Sequence, residues 1–129
     1  MRQTFSKKEK LKSKKDIDLL FSKGKSLTAF PLKLIYVATE IEDFDMPFKV
    51  GVSVSKRLFK RAVDRNRIKR LLREAYRLNK QIIYEAETNK QYAMMFLYLG
   101  KEMPDFKIVE ERVVRLLTKY NNDISNKEG

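Results

Sequence analysis

The stretch Lys60–Arg77 reads KRAVDRNRIKRLLREAYR, and its apolar residues are Ile68, Leu71, Leu72, Ala75 and Tyr76. Steps of i, i+3, i+4, i+7 and i+8 put them on one side of an α-helix. At about 100° per residue the opposite side carries Asn66, Arg70, Arg73 and Arg77, with Lys69 on the flank. Arg61, Arg65 and Arg67 extend the charge around the first turns. One face is suited to dock on a core while the other presents a row of cations. From Lys56 to Lys80 there are eleven Lys and Arg against two acids, Asp64 and Glu74, and arginine outnumbers lysine seven to four. A solvated helix face usually mixes its signs, with Glu four residues ahead of Lys or Arg. Guanidinium forks match phosphate oxygens and stack on bases. The stretch therefore points to nucleic acid.

Working outward, the 129 residues make one domain, 1–129, and 43% hydrophobic residues supply a core. The net charge of +12 is uneven: residues 1–25 carry +6 and residues 56–80 carry +9, while 26–55 sum to −2. Two basic blocks separated by near-neutral sequence suggest one folded electropositive surface rather than a basic tail. The chain has no Cys and no His. That excludes disulfides, thiolate zinc sites, cysteine nucleophiles and a nuclease built on paired histidines. No apolar run approaches the length of a membrane span, and MRQTFSKKEK lacks the apolar core of a secretory signal. The expectation is a cytoplasmic protein with an anionic partner.

Around the basic helix the chain alternates short elements. Residues 1–12 read as loose, anchored by Phe5 and Leu11. Ser13 caps a short helix ending at Lys23, with Ile17, Leu20 and Phe21 on one side and Gly24 as a C′ stop. On periodicity alone Phe21 reads as core. Phe30–Ala38 is a strand with Leu32, Leu34 and Tyr36 on one face and Lys33, Ile35 and Val37 on the other. The acidic Glu40–Pro47 segment lacks the pattern of a calcium loop and reads as a solvated hairpin loop. Phe48–Ser55 is the cleanest strand: Phe48, Val50, Val52 and Val54 alternate with Lys49, Gly51, Ser53 and Ser55. Its small polar face serves either solvent or the close approach of another backbone. Gln91–Leu99, apolar on both faces, is a central strand covered by protein on both sides, or has one face covered by a ligand. A structural helix spans about Asp105–Tyr120, with a frayed tail over 121–129. The coarse order is αββαβα, with a short extra strand near Ser55, in an α/β or α+β sandwich.

RNRIKRLLREAYR at Arg65–Arg77 resembles the basic signature of the protein subunit of bacterial ribonuclease P. VGVSVSKR at Val50–Arg57 looks like the strand ahead of that signature, and KLKSKKDIDLLFSKGKS at Lys10–Ser26 like the family's N-terminal segment. Phe5, in TFSKKEKL, resembles that segment's start, so the likeness covers about residues 5–120. Ile17, where the family often has an aromatic, and the acidic loop depart from the pattern.

The resemblance implies an α/β (α+β) two-layer sandwich of αβββαβα order, with a left-handed βαβ crossover through the basic helix. It implies a subunit that binds the catalytic RNA of ribonuclease P, one protein per RNA, and helps remove the 5′ leader of precursor tRNA. Catalysis then belongs to the RNA with its Mg²⁺ ions; the protein binds no cofactor and has no catalytic residue. Carried over position by position, the RNA contacts are Arg65, Asn66, Arg67, Lys69, Arg70 and Arg73, preceded by Lys56, Arg57, Lys60 and Arg61. The single-stranded leader is expected in a cleft between the first helix and the sheet, lined by Ile17, Phe21 and Ile35, with room above Gly51 and Ser53. A slip of one in the strand register would replace Ile35 by Tyr36.

Two other readings fit the charge. A general or ribosome-associated RNA-binding module would co-purify with ribosomal RNA instead of one large processing RNA. A basic amphipathic helix on an anionic membrane would bind liposomes without nucleic acid, but it has no need of the strands around it.

Overall fold

Ser13 opens the first element, as its place ahead of an apolar i, i+3, i+4 run predicts. The computed structural model describes residues 5, 9–39, 47–84 and 90–128, the last four as helical backbone alone. In α1 (Lys14–Lys23) the Asp16 N–H donates to Ser13 Oγ at 3.3 Å. Gly24 stops the helix in an extended conformation, φ −69° and ψ 150°, and its N–H donates to Leu20 O at 2.9 Å. Glycine is required here by space rather than by the left-handed φ expected of a C′ residue. A Cβ at this position would lie 2.2 Å from Leu20 O and 2.6 Å from Ile35 Cγ2. That close approach seats α1 on the strand carrying Ile35.

The chain then forms β1 (Lys25–Ala29) and β2 (Leu32–Thr39), an antiparallel hairpin with Ala29 opposite Leu32 and a cis Phe30–Pro31 bond in the turn. After β3 (Phe48–Val54) come α2 (Ala62–Asn79), the single turn α3 (Gln81–Tyr84), β4 (Gln91–Tyr98) and α4 (Phe106–Glu128). The sheet order is β1-β2-β4-β3. β4 runs antiparallel to β2, pairing Phe96 with Leu34, and parallel to β3, pairing Met94 with Val50. A parallel neighbour needs a crossover, and α2 is that crossover.

Three expectations change. The extra strand is Lys25–Ala29, not near Ser55; KSLTA has little intrinsic strand preference and is held by pairing with β2. Ser55 instead closes a turn, its Oγ accepting from the Arg57 N–H at 3.1 Å. The link from β2 to β3 is not a hairpin, because β4 lies between those strands; the acidic residues 40–46 fall outside the described residues. The tail is helical, since α4 continues to Glu128 and buries Tyr120 and Ile124 on the stripe begun by Val109, Val113 and Leu117. Polar Asn121, Asn122 and Asp123 hide that continuation in the sequence, and Asn121 Nδ2 donates to Ile82 O.

The core explains the two faces of β4. Tyr92, Met94, Phe96 and Tyr98 meet Leu34 and Tyr36 of β2, Ile68, Leu72 and Tyr76 of α2, and Val113, Leu116 and Tyr120 of α4. On the other face Ala93 and Met95 pack with Leu20 of α1, joined by half-buried Leu11, Ile35, Val37 and Leu97. The large core thus lies between the sheet and α2/α4, while α1 covers the opposite face with a smaller cluster.

The N-terminal segment is docked where it is described. Lys10 bridges Val50 in parallel fashion, and the Leu11 N–H donates to Val50 O at 3.0 Å. Glu9 accepts from Lys80 Nζ at 2.8 Å and from Tyr84 Oη at 3.1 Å, with both charged side chains only 4% exposed. Burial and the Glu9 carboxylate push the Tyr84 phenol well above its ordinary pKa. This buried pair ties the strap ahead of α1 to the end of α2.

Candidate nucleic-acid interface

The apolar stripe of α2 is turned to the core, with Ile68, Leu72, Ala75 and Tyr76 buried and Leu71 half-buried against them. The remaining surface is therefore presented outward. Asn66, Arg67, Arg70 and Arg73 are exposed on it, as are Lys56, Arg57, Lys60 and Arg61 on the approach. Lys69 is half-buried on the flank. Arg65 departs from the simple row. Its Nη1 donates to Phe59 O at 2.7 Å and to Lys60 O at 2.8 Å, so the guanidinium braces the loop that enters α2. Phe59 is buried and tilts against Tyr98, which fixes that loop to the core.

Between α2 and the N-terminal strap lies a groove of about 490 Å³, lined by Phe5, Lys10, Asn66, Arg70, Arg73 and Arg77, with Glu74 at its side. Glu74 accepts from Arg77 Nε at 3.0 Å, and that hydrogen bond holds its carboxyl below the usual range. The groove brings one residue of the first basic block, Lys10, to Arg70 and Arg73 of the second; Lys14, Lys15 and Lys23 lie on α1, over the other face of the sheet. Phe5, Lys10 and Arg77 were not among the residues picked from sequence as RNA contacts. Arg77 already stands on the cationic face by spacing, whereas Phe5 and Lys10 reach the groove only because the chain ahead of α1 returns to α2, more than fifty residues away in sequence.

The second surface lies at α1 and β2. Phe21 is 56% exposed, so the core reading for it is wrong. Ile17 is half-buried one turn earlier on α1, and Ile35 is half-buried beneath Gly24. The strand register is settled in favour of Ile35, because Tyr36 is buried on the opposite face and meets Tyr120 edge-on at 5.0 Å. The room expected above Gly51 is already partly lined: a Cβ there would touch Leu11 Cβ and Met95 Cε, each at 3.4 Å. Ser53 remains half-exposed on that face.

Among the described residues no three His, Cys, Asp or Glu stand together to hold a metal ion, and no helix is long and apolar enough to cross a membrane.

The family model for Ribonuclease P matches residues 5–121. The ribonuclease P protein component of Porphyromonas gingivalis (strain ATCC 33277) is 37% identical over 121 residues, covering 92% of this chain and 88% of its own. That of Clostridium botulinum (strain Langeland) is 32% identical over 114 residues, covering 88% and 95%. Among solved structures, the RNase P protein from Thermotoga maritima superposes with a TM-score of 0.67 at 27% identity, covering 86% of this chain and 96% of that one. The Staphylococcus aureus RNase P protein gives 0.68 at 23% identity, a likeness of fold.

Proposed function

The chain belongs to the ribonuclease P protein family, and from that premise we propose that it is the RNA-binding subunit of a ribonuclease P ribonucleoprotein. It binds the catalytic RNA, one protein per RNA, and the 5′ leader of precursor tRNA in the cytoplasm. The observation that carries this reading is the α2 surface. Its apolar side is spent on the core, and its other side offers Asn66, Arg67, Arg70 and Arg73 beside a cationic groove.

Two polyanions brought together repel each other, and fixed cations between them lower that cost. Arg70 and Arg73 neutralise phosphates of the catalytic RNA, and Lys56, Arg57, Lys60 and Arg61 extend the contact at the mouth of the loop. Arg65 serves mainly by bracing that loop, which sets the angle at which the other cations project. The α1–β2 surface takes the unpaired leader. Exposed Phe21 and half-buried Ile17 and Ile35 offer apolar contact to bases without reading their edges. Hydrolysis is carried out by the RNA with its Mg²⁺ ions. This chain, with neither His nor Cys, contributes position and charge rather than a general base.

Reconstitution tests the proposal. The protein added to the catalytic RNA of its own genome should restore leader removal at Mg²⁺ concentrations where the RNA alone is inactive. Arg70→Ala with Arg73→Ala should need more Mg²⁺ for the same rate. Cleavage by the protein free of RNA, or no gain on adding it to the RNA, would sink the assignment.

A further inference from the structure

The arginine row of α2 does not face open solvent along its whole length. Phe5 and Lys10 stand opposite Asn66, Arg70 and Arg73 and close the groove of about 490 Å³. Two of its residues are out of place in a site for phosphate alone. Phe5 is only half-buried: its ring meets Tyr76 edge-on, with centroids 5.7 Å apart, and Lys10 Nζ lies 5.9 Å from its centroid. Phosphate has no use for an aromatic ring, whereas a base stacks on one. Glu74, its charge matched by Arg77, gives a phosphate nothing, but its carboxylate oxygens can still accept a hydrogen bond from the amino group of a base. Lys10 follows Glu9, which is fixed by its buried pair with Lys80, and Phe5 is fixed by its contact with Tyr76, so both residues of this wall are tied to α2 or its end.

We propose that the groove seats one unstacked nucleotide of the catalytic RNA, its base against Phe5 and its phosphate on Arg70 and Arg73. The proposal rests on the RNA-binding reading above. It adds a contact of a different kind: stacking, which salt does not screen as it screens a phosphate pair.

Binding of the catalytic RNA and thermal melting are measured on Phe5→Leu, Phe5→Tyr and the Arg70→Ala/Arg73→Ala double variant. Leucine keeps an apolar group against Tyr76 but offers no ring. The expected result for Phe5→Leu is a Kd raised about 5- to 100-fold, with melting and the salt dependence of binding as in wild type. Phe5→Tyr retains wild-type affinity. If Phe5→Leu binds as wild type while the double arginine variant is weakened, the seat is overturned and RNA binding by α2 stands. If both bind as wild type, the RNA-binding reading falls and the seat with it. A Phe5→Leu protein that melts early, and loses affinity and salt dependence together, shows Phe5 to be an anchor only, which also overturns the seat.

Discussion

Phe21 and Arg65 are placed otherwise than spacing alone predicts. Phe21 sits on the apolar side of α1 by spacing, yet it is 56% exposed, because Leu20 beside it takes the buried position against Ala93 and Met95. Truncating an exposed ring removes little packing, so Phe21→Ala should leave stability within about 0.5 kcal/mol. If the ring grips the leader, affinity for precursor tRNA falls by about 1–3 kcal/mol while affinity for mature tRNA, which lacks a leader, is unchanged. An equal loss for both tRNAs would remove Phe21 from the leader surface. Arg65 belongs to the basic signature, but its guanidinium is bound to Phe59 O and Lys60 O. Arg65→Ala should therefore lower the unfolding free energy by about 1–2 kcal/mol, whereas Arg70→Ala and Arg73→Ala each change it by less than about 0.5 kcal/mol. Urea unfolding of the three variants separates a brace from a binding group. No spacing rule distinguishes these arginines, because what singles out Arg65 is the path of the loop before the helix.

The elements that were legible are those whose own pattern decides them. α2 is fixed by an apolar stripe of period 3.6, α1 by Ser13 and Gly24, and β4 by its two apolar faces. β1, the end of α4 and the strap were not legible, because each is held by partners distant in sequence. KSLTA becomes a strand by pairing with β2, and the polar end of α4 is kept helical by Ile124 and by the contact of Asn121 with Ile82. Ile124→Ala should accordingly cost about 2–4 kcal/mol, measurable by denaturant unfolding; a frayed tail would show no change. The strap gives a sharper case. Removing one member of a buried ion pair leaves an uncompensated charge, so Glu9→Gln should cost about 3–5 kcal/mol. Replacing both partners by apolar residues, Glu9→Leu with Lys80→Met, should recover most of that loss. If the double variant is as unstable as the single one, the pair is not what fixes the strap.

At the scale of the whole molecule the second basic block is joined at the groove by Lys10 of the first, while Lys14, Lys15 and Lys23 ride on α1 across the sheet. Three of the acids are held in ion pairs. Glu9 is buried against Lys80, Glu74 is bonded to Arg77, and Glu111 pairs with Arg112 and Arg115 on α4. A surface of this kind binds RNA largely by releasing counterions, so affinity should depend steeply on salt. If about six phosphates are neutralised, log K against log salt should fall with a slope of roughly −4 to −5. Each arginine removed from the row should make that slope shallower by roughly 0.7 to 0.9. The Arg70→Ala/Arg73→Ala variant is thus expected near −3 by the same relation, about two contacts short of wild type. Phe21→Ala, on the other surface, should leave the slope for the catalytic RNA unchanged. The experiment is a titration of the catalytic RNA at several KCl concentrations with Mg²⁺ held constant, on all three proteins. A wild-type slope near −1 would mean that the exposed arginines of α2 are a solvated face. A slope that is steep in wild type but unmoved in the double arginine variant would place the phosphate contacts elsewhere, on the cations of the α2 approach or of α1.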